Sequence, residues 1–179
     1  MPSDPANDAI AAFRAATNDD EEAKVDAIAS LEDVIDPRVV PFFLETLADP
    51  DTLDLARIEI CEVLKLRSGM TRAERAAASK TLSAVLLDDE DTEVRNYAAM
   101  ALSSFLDFPE ARSALERVLL DTSEHRNVRH NAVFAVERAG PSVENRKLLL
   151  KLEIDPELAR TSRRILGEWD PGAPDDDDE

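Results

Sequence analysis

The sequence has 179 residues and a formal net charge of −18; apolar residues make up 44% of it, aromatics only 4%, and there are four glycines and one cysteine. A chain of this length suits one domain that buries roughly two-thirds of its unfolded surface, and its Ala- and Leu-dominated apolar set favours packed helices over strands, which prefer aromatic and β-branched residues. The lone Cys61 excludes an internal disulfide, no apolar run nears the ~20 residues of a membrane helix, and the negative charge repels nucleic acid and anionic membrane.

No segment alternates apolar and polar residues at period two, so helices are expected throughout. A stripe of Ala23, Ala27, Ser30, Leu31 and Val34 marks an early helix. Asp36-Pro37 then sets a capping acceptor before a proline at a first helical position. Ala56, Ile60, Val63 and Leu64 renew the stripe, and Gly69 sits where a helix must stop. Thr71-Arg72-Ala73-Glu74 reads as a capping box opening a helix towards Leu87. Asp89 or Asp91 precedes a helix reaching Phe105, with Val94, Ala98, Ala101, Leu102 and Phe105 on one face. The same spacing falls on Val128, Ala132, Ala135, Val136 and Ala139, before Gly140. Asp155-Pro156 sets another capping acceptor before a proline, and the stripe then falls on Leu158, Ser162, Ile165, Leu166 and Trp169. The acidic end, Pro171 to Glu179, has no core-forming residues and is expected to be disordered.

Five copies of one stripe make an internal repeat. Directly after its first residue stand Lys24, Arg57, Arg95 and Arg129, with Ala159 ending the series, at spacings of 33, 38, 34 and 30 residues. Six residues before Arg57 and Arg95 stand Asp51 and Asp89. The run Val39-Val40-Pro41-Phe42-Phe43-Leu44 through Leu47-Ala48-Asp49-Pro50-Asp51 to Arg57 and Val63-Leu64 resembles a HEAT repeat unit. Leu86-Leu87-Asp88-Asp89 followed by Val94-Arg95 and Ala98-Ala99-Met100-Ala101-Leu102 resembles another. The resemblance implies an all-α fold, a right-handed α-solenoid of about five helix pairs over residues 1–169, with residues 170–179 as a disordered acidic tail. It also implies that Asp51, Asp89, Arg57, Arg95 and the equivalent Arg129 form a ladder tying neighbouring repeats together. Ser123 and Asn18 stand where the fourth and first units would carry the ladder aspartate.

Chemistry is sparse. His125 and His130 lie five apart, off a common helical face, so no metal site and no cofactor are expected. Cys61 falls in a column with Ala99 and Val133 and reads as a small core residue. Asp88-Asp89-Glu90-Asp91 lacks the glycine and terminal glutamate of a calcium loop and reads as an inter-helix turn. There is no glycine-rich phosphate loop, and the chain is expected not to be an enzyme.

The charge is uneven. Residues 1–54 carry 14 acidic and 3 basic side chains, whereas residues 55–169 carry 19 and 18. Residues 126–169 hold nine basic side chains against six acidic ones, a poor footprint for DNA, although some HEAT-like glycosylases bind it. In the resembling family the second helices line the concave side. The columns opposite the stripe would then form a groove: Asp26 and Asp33, then Glu59 and Glu62, Tyr97 and Met100, Asn131 and Phe134, and finally Arg164. Apolar and aromatic anchors beside carboxylates point to a basic protein partner and a cytoplasmic, monomeric adaptor or inhibitor, for example of the immunity type. A bilin-lyase-like protein handling a tetrapyrrole and its carrier, or an assembly scaffold, are the alternative readings.

Overall fold

A computed structural model describes residues 4–17 and 19–170; Asn18 and residues 171–179 of the tail lie outside the described residues. Among the described residues there are ten α-helices and no strand. They are α1 (Pro5–Ala15), α2 (Glu21–Ala29), α3 (Val39–Ala48), α4 (Asp54–Leu66), α5 (Arg72–Asp88), α6 (Thr92–Ala101), α7 (Pro109–Leu120), α8 (Arg126–Ala139), α9 (Val143–Lys151) and α10 (Ala159–Trp169). Short 3₁₀ turns extend α6 through Leu102–Phe105 and α9 through Leu152–Ile154.

The helix starts follow local chemistry. The Asp4 carboxylate accepts the Asn7 N–H at 3.1 Å with Pro5 in the first turn, and Asp20 accepts the Ala23 N–H at 3.2 Å. At Thr71 both halves of the capping box form, the hydroxyl accepting the Glu74 N–H at 3.2 Å while Glu74 accepts the Thr71 N–H at 2.7 Å. Asp91, the nearer of the two aspartates, caps α6. Two starts depart from the sequence reading. Asp36-Pro37 and Asp155-Pro156 do not open helices directly, because each aspartate instead accepts the N–H two residues on and holds a turn. Helix then begins at Val39 and Ala159. Gly140 ends α8 at φ +83°, a left-handed backbone that a side chain would strain.

Consecutive helices pair, and each pair packs on the next: α2, α4, α6 and α8 stack in one layer, and α3, α5 and α7 in the other. The core lies between the layers. Val94, Ala98, Ala101, Leu102 and Phe105 are all buried, as are Ala56, Ile60, Val63 and Leu64. Each large side chain fully removed from water contributes about 1.5–3 kcal/mol, so a repeated stripe is enough to hold adjacent pairs together. The stripe frays at helix ends. Ser30 lies just past the end of α2 and Ala139 is the last residue of α8, and both are exposed. Trp169, at the end of α10, is half-buried. Cys61 is buried together with Ala99 and Val133, and burial pushes its thiol pKa far up, which leaves it unreactive.

Candidate protein-binding surface

The site rests on a buried polar spine. In four pairs, the basic residue of the second helix's first turns reaches back to a carbonyl at the end of the first helix. Lys24 Nζ donates to Phe13 O at 3.2 Å, Arg57 Nε to Leu47 O at 3.2 Å, Arg95 Nε to Leu86 O at 3.0 Å, and Arg129 Nη2 to Leu119 O at 2.8 Å. These carbonyls are orphans of helix C-termini, and the cation also suits the negative end of the helix dipole.

The same guanidinium groups bind carboxylates of the following pair. Arg57 pairs with Asp89, and with Asp54 of its own helix at 3.3 Å. Arg95 pairs with Glu124, and Arg129 pairs with Asp155 at 2.5 Å and Glu157 at 3.0 Å. Burial opposes ionisation of Asp155, but the hydrogen bonds from Arg129 and from the Leu158 and Glu157 N–H groups hold its carboxyl below the usual aspartate range. The structure therefore links Arg57 to Asp89 and gives Arg95 and Arg129 partners that the sequence motif did not name. Glu124 stands next to Ser123, and Asp155 also holds the turn before α10 by accepting the Glu157 and Leu158 N–H groups. Asp51 is exposed, with its N–H donated to Asp49 at 3.0 Å.

With the spine holding register, the second helices turn a continuous face away from the first helices. Asp26 and Asp33 on and just beyond α2 are exposed, while Glu59 and Glu62 on α4 are half-buried. Tyr97 and Met100 on α6 are half-buried, as is Asn131 on α8, and Phe134 is 46% exposed. Leu66, at the end of α4, is 59% exposed. Arg164 on α10 is exposed and bridges Glu137 and Glu168 at 2.8 Å each.

The two ends of this face differ electrically. Burial, then repulsion from Glu32 and Glu62, lifts the Glu59 carboxyl above the usual glutamate range. Glu62 is paired with Lys65, whereas Glu59 has no ion pair among the described residues. At the other end Arg164 is held charged by its two glutamates. The face thus runs from uncompensated carboxylates, across Tyr97, Met100 and Phe134, to compensated cations.

Sequence reasoning missed a further row on these helices, formed by the residue after each spine arginine: Ile58, Asn96 and His130. Asn96 is buried and donates its amide to Glu93 at 3.1 Å, and the His130 ring lies 6.5 Å from that of Phe134. Its signal was present as a fixed offset from Arg57, Arg95 and Arg129.

Among the described residues no cluster of His, Cys, Asp or Glu has the geometry of a metal site, and no helix is long and apolar enough to cross a membrane. Residues 79–167 match the family model for HEAT repeats. No curated protein matches the sequence.

Proposed function

Since the chain belongs to the HEAT-repeat family through residues 79–167, repeats that generally mediate protein binding, we propose that it is a non-enzymatic module that captures a basic protein on the exposed face of its second helices. In this reading that face is the inner wall of a right-handed superhelix. The partner lays an apolar contact on Tyr97, Met100 and Phe134 and sets its cations against Glu59 and Glu62. The role is that of an adaptor or of an inhibitor of the immunity type, which blocks a basic effector by presenting carboxylates where the effector expects an anionic substrate.

The observation that carries the reading is that one layer of stacked helices bears both a half-exposed phenylalanine, on α8, and a carboxylate that the fold leaves uncompensated, on α4. Exposed aromatics cost solvation, and a carboxylate that is partly buried and repelled by its neighbours costs free energy that a partner's cation would return. The experiment is capture from the native host with tagged protein, mass spectrometry of what is retained, and binding kinetics at two salt concentrations. Phe134→Ala should weaken the captured complex by about 2 kcal/mol, mostly through faster dissociation. Replacing Glu59 and Glu62 by Gln should slow association and flatten its salt dependence. A complex whose kinetics are the same in all these variants as in the parent would place the interface elsewhere.

A further inference from the structure

A sizeable concavity lies away from that face. It is a groove of about 780 Å³ between α3 and α5, open at the turns that join the helices of the second and third pairs. That volume lies within the ~300–1,000 Å³ of ordinary ligand sites. The groove exists because α5 turns small side chains towards α3. Ala77, Thr81 and Ala84 leave space that bulkier residues would fill, and Ala48 and Pro50 form the opposing lip.

The carboxylates around it are not equivalent. Asp89 and Asp54 are neutralised by the buried Arg57 guanidinium that forms part of the wall, and Asp91 is engaged in capping α6. Asp88 and Glu90 line the same mouth, are exposed, and have no ion pair among the described residues. Lys80, also without an ion pair among the described residues, sits two turns earlier on α5, about 12 Å along the helix at 1.5 Å per residue. The turn end of the groove is therefore anionic, and its floor is methyl and methylene groups.

We propose that this groove binds an extended, lysine-bearing segment of a basic protein, with the aliphatic stem of the lysine on Ala84 and Val85 and its ammonium between Asp88 and Glu90. The proposal rests on the reading that the partner is a basic protein and adds a second contact point for it. An ammonium on an aliphatic stem fits better than a guanidinium, because no aromatic ring lines the groove to stack a planar cation. The groove's volume of about 780 Å³ exceeds what a single side chain would fill, which suits a segment of several residues.

The test uses the full chain, labelled for amide chemical-shift mapping and titrated with the peptide acetyl-Ala-Lys-Ala amide. Its norleucine counterpart and free spermidine are the comparison probes. The expected result is saturable shifts confined to residues 48–54 and 77–91, absent with the norleucine peptide. Ala84→Leu, an exposed helical position, should abolish them by filling the floor. The Asp88→Asn, Glu90→Gln double variant should weaken binding by about 5-fold, the scale of exposed charge pairs. Equal binding of the norleucine peptide, or shifts that gather on Glu59 and Glu62, would overturn the site. Spermidine binding as tightly as the peptide would overturn the choice of a protein segment in favour of a free polyamine. Replacing Glu59 and Glu62 by Gln leaves this signal unchanged, so failure of the second-helix face and failure of this groove register in different experiments.

Discussion

Substituting Arg129 by Ala tests whether the spine holds the last helix pair to the rest of the molecule. The side chain is buried and makes three separate bonds: to Leu119 O at 2.8 Å, Asp155 at 2.5 Å and Glu157 at 3.0 Å. Its removal leaves a helix-terminal carbonyl without a donor and the buried Asp155 without its cation. Breaking one partner of a buried pair costs about 3–5 kcal/mol, because the remaining charge stays desolvated. In a stack of repeats that loss falls on the nearest interface, so α9 and α10 should detach before the rest unfolds. Trp169 is the single tryptophan and lies in α10, which separates the two events. In urea, with an m-value of about 2 kcal/mol/M, the fluorescence midpoint of Arg129→Ala should fall by roughly 2 M while most of the helical circular dichroism persists. The double variant Arg129→Met, Asp155→Asn removes both charges, keeps the turn acceptor of residue 155, and should recover much of the loss. Fluorescence and dichroism transitions that overlay those of the parent would refute the argument.

Three further outcomes follow from the same structure. The Asp155 carboxyl is held below its usual range, so its contribution is complete above the unfolded value of about 3.9 and is lost as pH falls through the lower folded value; the stability gap between parent and Asp155→Asn in urea melts should therefore close in acid. Glu59 has the opposite sign: its raised carboxyl penalises the fold once ionised, so Glu59→Gln should raise the urea midpoint at pH 7 and make no difference below about pH 4, and a lowered midpoint at neutral pH would count against the penalty that burial and the repulsion from Glu32 and Glu62 place on it. Cys61 is fully buried with its thiol pKa pushed up, so it should react with a thiol reagent only at the rate of unfolding, and prompt labelling of the native protein would contradict the packing.

How much of this was legible in the sequence depends on the range of each bond. The basic column of Lys24, Arg57, Arg95 and Arg129 could be read because each residue is fixed by its own pair. Each reaches a carbonyl 9 to 11 residues earlier, across one short turn of nearly constant length. The carboxylates that complete the spine belong to the next pair. They lie 32 residues after Arg57, 29 after Arg95, and 26 and 28 after Arg129. A guanidinium with five donors accepts a carboxylate from several directions, so the turn can supply Asp89 in one pair, Glu124 in the next, and Asp155 with Glu157 in the last. No fixed offset survives that freedom, and a motif built on one aspartate position finds only part of the set.

The proposed binding surfaces were less legible still, for a related reason. Asn96 reads in sequence as a solvent-facing polar residue on a helix, yet it is buried because neighbouring second helices flank it on both sides. The groove at Ala77 and Ala84 has no sequence signature, since alanines on the outer face of a helix are ordinary, and the space appears only when α3 packs beside them. Bonds within a pair set the fold and recur at a constant interval, which is why periodicity finds them. Recognition surfaces are made by residues from adjacent pairs, whose relative placement is set by packing and turn length together. If the proposed surfaces bind, substitutions at Asp88, Glu90, Glu59 or Phe134 retune binding while the spine and stripe keep the molecule folded.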